Sequence, residues 1–565
     1  MRTVRSLIVG LVLAPSLLAT CTCSRPTPPI TDAATRTERT LPPPARPVDV
    51  LAEAHFGHPR STVERLGRLV GMRVPLDLGL ALGLGVDSSV LSAGDTHRPI
   101  DVIVTGTAER QDMLLVFTPA SNSQLRPTLS GRFRFTPVAG LGERLDPRDA
   151  HRDQRLHCAV VSVTGTIDRR IVCTERAEAL THAGRWAAFR SAERADDTHD
   201  MTFETDPATT RRVMLPQLRH ALDDFTRSAS TEASRERRQH DRPPDFGDPE
   251  AVIGIVQELA RDLETNSGDL RGIRGTATVE TGRVVVDMDL AVDPEGRSSV
   301  ARDARGRLRA GNDTSIAARI PTDAFMSAVS NTDPAARVST LHGFADGLVR
   351  VLGARLANPE VVQNDLHELF AHAGSGAAIG AVRQEGGGFE TYGVLSQTDG
   401  GVAARATLAR IARSPWLRAL QFGTSRPIVT FQNQQLVLRL SEPPRPRLPG
   451  GITPPQDPPT VALVTVDRDA LVFVSGRDPV HAFAAVSARS SGPSPSVFQA
   501  AAQAPLVFAV DLARLASSHA TEAAPVQITY SAAREGADVR ARVRVVASGA
   551  ALSAIRALME EPSGS

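Results

Sequence analysis

"CAVVSVTGTIDRRIVC", Cys158 to Cys173, decides how this chain is read. Two runs rich in β-branched residues flank Thr-Gly-Thr, the composition of two strands joined by a turn. With the turn centred near Gly165 and Thr166, Val163 faces Asp168, Val161 faces Arg170, and Cys158 faces Cys173. In an oxidising compartment a cross-hairpin disulfide follows, worth about 3 kcal/mol for a loop of this length. Two buried free thiols are the alternative. A metal site is less favoured, because only His157 lies close by and no CxxC spacing exists.

The same pattern recurs in "DVIVTGTAERQDMLLVFTP", "GIRGTATVETGRVVVDMDLAV", "RPIVTFQNQQLVLRL", "TVALVTVDRDALVFV" and "VQITYSAAREGADVRARVRVV". In the last, Val539, Ala541, Val543 and Val545 share one face and Arg540, Arg542 and Arg544 the other, so one side is core and one is wet. A second theme is a strand that runs into a helix through Asp or Thr, as in "TFETDPATTRRVM", "IAARIPTDAFMSAV" and "LVFAVDLARLAS"; those residues suit an N-cap. "DPEAVIGIVQELARDLE" is the clearest helix, capped by Asp248, with Val252, Ile255, Val256, Leu259 and Leu263 in one stripe. The order hairpin, helix, strand, helix, hairpin recurs in 156–292 and 460–546, with spacings too different to establish duplication. These elements predict an α+β, multi-domain architecture of antiparallel sheets with helices packed on one face.

Polar and Pro-rich stretches at Ser228–Gly247 and Pro443–Pro459, and a weaker break at "DARGRLRAGND", divide the body. The units expected are 48–227, 248–442 and 460–561, with 443–459 a linker.

The chain starts with Met1, Arg2 and Arg5, then an apolar core from Leu7 to Leu18 interrupted by Pro15, and "LLATC" ending at Cys21. The core has the length of a signal-peptide h-region and falls short of a spanning helix. Leu18-Ala19-Thr20-Cys21 resembles the lipobox of bacterial lipoproteins, which implies that residues 1–20 are removed and that Cys21 carries lipid. Thr20 departs from the usual Gly, Ala or Ser, leaving ordinary cleavage near Ala19 as the alternative. Thr22 stands where Asp would favour inner-membrane retention, so the resemblance implies the outer membrane. Residues 21–47, rich in Pro, Thr and Arg, read as an extended tether. The body resembles in texture the large uncharacterised lipoproteins of GC-rich Gram-negative bacteria, a likeness that brings no known activity.

Composition excludes whole chemistries. All 64 basic residues among 565 are arginine. Without lysine there is no Walker A loop, Schiff base, pyridoxal phosphate attachment or Ser-x-x-Lys acylation. A net charge of +1 argues against nucleic acid as partner, and 4% aromatic residues provide few stacking platforms.

The remaining motifs read as structural. In "HELFAH", His367 and His372 are five residues apart, roughly 140° around a helix, so they cannot share a zinc as the zincin motif requires; a solvated helix end is expected. His55 and His58 in "HFGH", with Glu53 nearby, lack a further ligand cluster. "GSGAAIG" (374–380) follows a helical pattern and precedes a strand, the wrong order for a dinucleotide loop, and reads as a helix stop and turn. Asp287, Asp289, Asp293 and Glu295 miss EF-hand spacing. The arginine face at 540, 542 and 544 reads as solvated. No GxSxG elbow is present.

The sequence therefore predicts a lipid-anchored envelope protein with a non-catalytic binding or scaffolding role. It needs no cofactor or metal and meets the membrane through its N-terminal lipid. Its partner is an envelope protein or an apolar ligand. The alternatives are a carrier of lipid or another apolar ligand and a hydrolase with a dispersed Ser/His/Asp site.

Overall fold

The computed structural model describes residues 44–71, 88–107, 110–149, 156–163, 169–194, 199–239, 257, 261, 264–308, 310, 315–352, 356, 358–384, 388–419, 427–440, 461–476, 478–488, 504–516 and 523–560. Cys21, the tether up to residue 43, the 443–459 linker, the turn at 164–168 and most of the 248–264 helix lie outside them.

The chain divides into two units: residues 1–216, 272–289 and 546–565 form unit 1, and 217–271 with 290–545 form unit 2. The first unit opens with β1 (Val50–Phe56), β2 (Ile100–Gly106), β3 (Gln111–Phe117), β4 (Phe133–Val138), β5 (Gly142–Pro147), β6 (His157–Ser162), β7 (Arg169–Thr174) and β8 (Met201–Thr205). Next along the chain is the hairpin β9 (Leu270–Glu280) and β10 (Arg283–Val292), turning at Gly282 with φ +83°, a conformation that favours glycine. Then follow β11 (Met326–Asn331), β12 (Ala373–Arg383), β13 (Phe389–Gln397), β14 (Pro427–Gln432), β15 (Gln435–Leu440), β16 (Val461–Asp467), β17 (Ala470–Gly476), β18 (Leu506–Asp511), β19 (Pro525–Glu535) and β20 (Asp538–Ser548). Each strand pair whose register is defined among the described residues is antiparallel, and all six hairpins read from alternation are strand pairs.

In unit 1 the strands run β8, β1, β2, β3, β7, β6, β5, β4. One face packs Leu115, Phe117, Cys158, Val160 and Ile171 against Leu91, Leu125 and Leu129 of two short helices. The other packs Leu114, Val116, Ala159, Val161 and Val172 against Leu180, Ala183, Trp186 and Ala187 of the Ala177–Glu193 helix. Helices thus cover both faces here, not one. The central strands are apolar on both sides, and alternation alone does not reveal that second buried face.

Two of the three expected strand-to-helix starts form; in "IAARIPTDAFMSAV" the order is reversed, the Ser315–Arg319 3-10 helix preceding β11 at Met326–Asn331. Asp206 accepts from the amides of Ala208 and Thr209 at the head of the Pro207–Gln239 helix, and Asp511 accepts from Ala513 and Arg514. The Pro207–Gln239 helix continues into the polar stretch read as a break at Ser228. Among the described residues no helix is long and apolar enough to cross a membrane.

In unit 2 the strands run β14, β15, β16, β17, β13, β12, β11, β18, β19. One face is dry: Val472, Val474, Tyr392, Val394, Ala378, Val329 and Val507 pack with Ile316 and Ala317 of the Ser315–Arg319 3-10 helix, with Ile320 just after it, and with Ala482 and Val486. This corrects the reading of "GSGAAIG" as a turn, since residues 374–380 lie within β12. Gly376 and Gly380 face the 3-10 helix, where a Cβ would come within 2.7 Å of Ile316 Cδ1 or 2.5 Å of Ile320 Cγ2. Close approach demands the glycines.

Candidate functional site

The opposite face of that sheet is the candidate site, and register defines it. Directly opposed residues on neighbouring strands point to one side. One row reads Leu471, Leu395, Ala377, Ser330, Leu506 and Tyr530 across β17, β13, β12, β11, β18 and β19. The next reads Phe473, Gly393, Ile379, Ala328, Phe508 and Ile528. This second row is apolar throughout, yet Ile379 is 48% and Phe473 40% exposed. Small residues, Gly393 and Ala328, lie between the bulky ones, the relief of a shallow trough.

Helices cover the surroundings of the trough. Toward β15 and β16, Leu436, Val466 and Leu471 pack with Leu369, Leu408, Ile411 and Leu417. At the other side the Pro334–Leu352 helix, capped by Asp333 through the amides of Ala335 and Ala336, sends Arg337 back to the sheet. Phe344 and Leu348, seven and eleven residues on, point within about 20° of Arg337's direction. Both are exposed, Phe344 by 63%. They form an apolar edge on the side from which Arg337 reaches β11 and β12.

The row of Ser330 and Tyr530 carries the charge. Arg307, at the end of the Ser299–Arg307 helix, donates Nε to Asp303 Oδ2 at 2.6 Å and Nη2 to Asp303 Oδ1 at 2.8 Å. Its Nη1 donates to the carbonyls of Asn331 and Pro505, and its guanidinium lies 5.1 Å from the Tyr530 ring centroid. Arg337 Nη2 donates to the carbonyls of Ser330 at 2.6 Å and Ser375 at 2.9 Å. Ser330 Oγ accepts from both guanidiniums, at 3.3 Å from Arg307 and 3.2 Å from Arg337. Among the described residues no carboxylate pairs with Arg337. Burial and then the charge of Arg307 push its pKa down to about 10, with Asp303 opposing. Arg337 Nε and the Tyr530 hydroxyl are among the buried donors that lack acceptors. Burial first, and then Asp303, raise the Tyr530 pKa, so its proton stays on.

The residues singled out from sequence lie elsewhere. Cys158 and Cys173 are directly opposed on β6 and β7 in unit 1, with sulfurs 2.12 Å apart. Their Cα atoms are 4.1 Å apart, near the narrow spacing of opposed antiparallel residues. The geometry is compatible with the expected staple. His55 is not part of an open cluster: it is wholly buried on β1, with Nδ1 2.7 Å from Asp101 Oδ1 on β2. Beside it, buried Glu53 is held by Arg46, Arg190 and Arg194. His367, expected at a solvated helix end, is half-buried instead. Its Nε2 lies 2.7 Å from Asp346 Oδ1 and its ring stacks on His342 at 4.1 Å. Asp293 pairs with Arg271, and among the described residues no three His, Cys, Asp or Glu side chains gather as metal ligands.

Sequence reading missed Arg307, Arg337, Ser330 and Tyr530. The alternation Ala377, Ile379, Ala381 against Gly376, Ala378, Gly380 was the available signal, because it marks a strand with two distinct faces. No family model, no curated protein and no solved structure matches the chain.

Proposed function

We propose that this is an exported protein, held at the outer membrane by lipid on Cys21, whose unit 2 binds an apolar chain without catalysis. The observation that carries the binding role is the apolar row from Phe473 through Ile379 to Phe508 and Ile528, exposed at Phe473 and Ile379, together with exposed Phe344 and Leu348 on the helix side of Arg337. Water gains by leaving such a surface, at about 0.8 kcal/mol per methylene buried on it. In the β17, β13, β12, β11, β18 stretch the part of this face left for a ligand is the trough between the helices that carry Leu408 and Arg337. The anchor rests on the charged start, the short apolar core and Leu18-Ala19 before Cys21. A hydrolase reading gains nothing from His55 and Asp101, since His55 has no exposure to substrate.

Two measurements test this reading. Delipidated protein titrated with dodecanol, a neutral chain, is expected to bind it saturably. Ile379→Asp together with Phe473→Asp should weaken that binding at least about tenfold while circular dichroism stays unchanged. Absence of dodecanol binding by the unsubstituted protein would overturn the binding role. For the anchor, Cys21→Ser should move the protein from the membrane to the soluble fraction, and an unmodified mature chain beginning near Thr20 would refute lipidation.

A further inference from the structure

The geometry points to an anionic head on the ligand: the Arg337 and Arg307 pair, at the end of the open apolar face, takes the carboxylate or phosphate of a long-chain amphiphile. This inference rests on the apolar-chain reading above and adds the head-group chemistry to it.

Three observations meet at this place. The first is a charge excess. Arg307 and Arg337 are bridged by one hydroxyl, Ser330 Oγ, while only Arg307 has a carboxylate, Asp303. A mostly buried guanidinium bonded only to neutral carbonyls and a hydroxyl bears an uncompensated charge, which an anion would neutralise. The second is unused donor capacity. Arg337 Nε and the Tyr530 hydroxyl are buried without acceptors, and an oxyanion accepts from several donors at once. The third is position. Ser330 and Tyr530 occupy the row next to Ala328 and Ile528, and Arg337 shares its helix side with Phe344 and Leu348. A head held by Arg337 would therefore leave its chain running over Ala328, Ile379 and Phe473. Charge at one end and an apolar trough leading from it match an amphiphile, not a free inorganic anion or a neutral oil.

The pair has a readable consequence in unsubstituted protein. Dodecanoate and dodecyl phosphate, each kept below its micellar range, should bind at least about tenfold more tightly than dodecanol at pH 7, the yield of one charge-assisted contact. Whichever of the two binds more tightly identifies the head as carboxylate or phosphate. Inorganic phosphate at millimolar concentration should compete weakly, because it lacks the chain. Arg337→Gln should bring the anionic ligands within about twofold of dodecanol and leave dodecanol binding unchanged. Equal binding of all three chains by unsubstituted protein would overturn the head-group assignment while leaving the apolar-chain reading intact. Failure of dodecanol itself would sink that reading instead. If Arg337→Gln fails to fold, the comparison of ligands on the unsubstituted protein decides alone. Retained tenfold preference in a folded Arg337→Gln protein would place the head elsewhere.

Discussion

The central sheets of the two units are built alike and finished differently. In unit 1, Leu114 and Val116 are as dry as Leu115 and Phe117 on the opposite side, because the Ala177–Glu193 helix closes one face and short helices close the other. In unit 2, Val394, Ala378 and Val329 are dry beneath the 3-10 helix, while Ile379 and Phe473 on the other side meet solvent. Burying both faces gives stability. Leaving one apolar face open gives up part of that stability, and what it gains is a surface on which a ligand can complete the packing.

The largest expected effect tests this contrast directly. Val116→Asp in unit 1 would bury an unpaired carboxylate between sheet and helix and should cost more than about 4 kcal/mol, enough to prevent folding of the unit. Ile379→Asp in unit 2 should cost under about 1 kcal/mol, since water already reaches the site. Thermal unfolding of the two variants measures both, and equal losses would erase the distinction between the faces.

Opening the hairpin staple comes next. Replacing Cys158 and Cys173 by Ser should lower stability by about 3 kcal/mol and leave dodecanol binding in unit 2 unchanged. Calorimetry and titration on one preparation read both quantities.

Arg337 gives a smaller effect with an unusual pH signature. Its pKa is lowered to about 10, so between about pH 10 and the ordinary arginine range the unfolded chain binds a proton that the folded chain has lost. Stability from this group therefore rises with pH across that window. Arg337→Met should be more stable than the unsubstituted protein at pH 7 without ligand, on the order of 1 kcal/mol, and the advantage should shrink toward pH 12. A chain without lysine has few other groups titrating there. Denaturant midpoints at pH 7, 10 and 11.5 would show the narrowing, and a constant gap would contradict it.

The smallest effect concerns Asp346. Burial raises its pKa, but hydrogen bonds from Gln363 and His367 outweigh that and hold it below the usual carboxylate value. Its contribution is present above the ordinary carboxylate pKa and disappears as pH falls through the lowered one. Asp346→Asn should cost a few tenths of a kcal/mol at pH 7 and nothing near pH 2.

What the sequence made legible follows from range. Hairpins are local, so alternation and turn residues exposed all six of them and even the register that opposes Cys158 and Cys173. Caps are local as well, as Asp206 and Asp511 show. The open row was not legible, because Phe473, Gly393, Ile379, Ala328, Phe508 and Ile528 come from six strands and each is ordinary within its own. The glycines of "GSGAAIG" suggested a turn for want of the 3-10 helix that presses on them. His55 beside Asp101, and His367 on His342, joined partners too distant in the chain for spacing to reveal.

A dodecyl chain carrying a photoreactive diazirine near its end would test the open face most directly. After illumination and proteolysis, adducts should fall on peptides containing Ile379, Phe473 or Phe344, compete away with unlabelled dodecanol, and spare β3, β6 and β7 of unit 1. Saturable labelling confined to unit 1, or labelling that unlabelled dodecanol does not displace, would contradict the account.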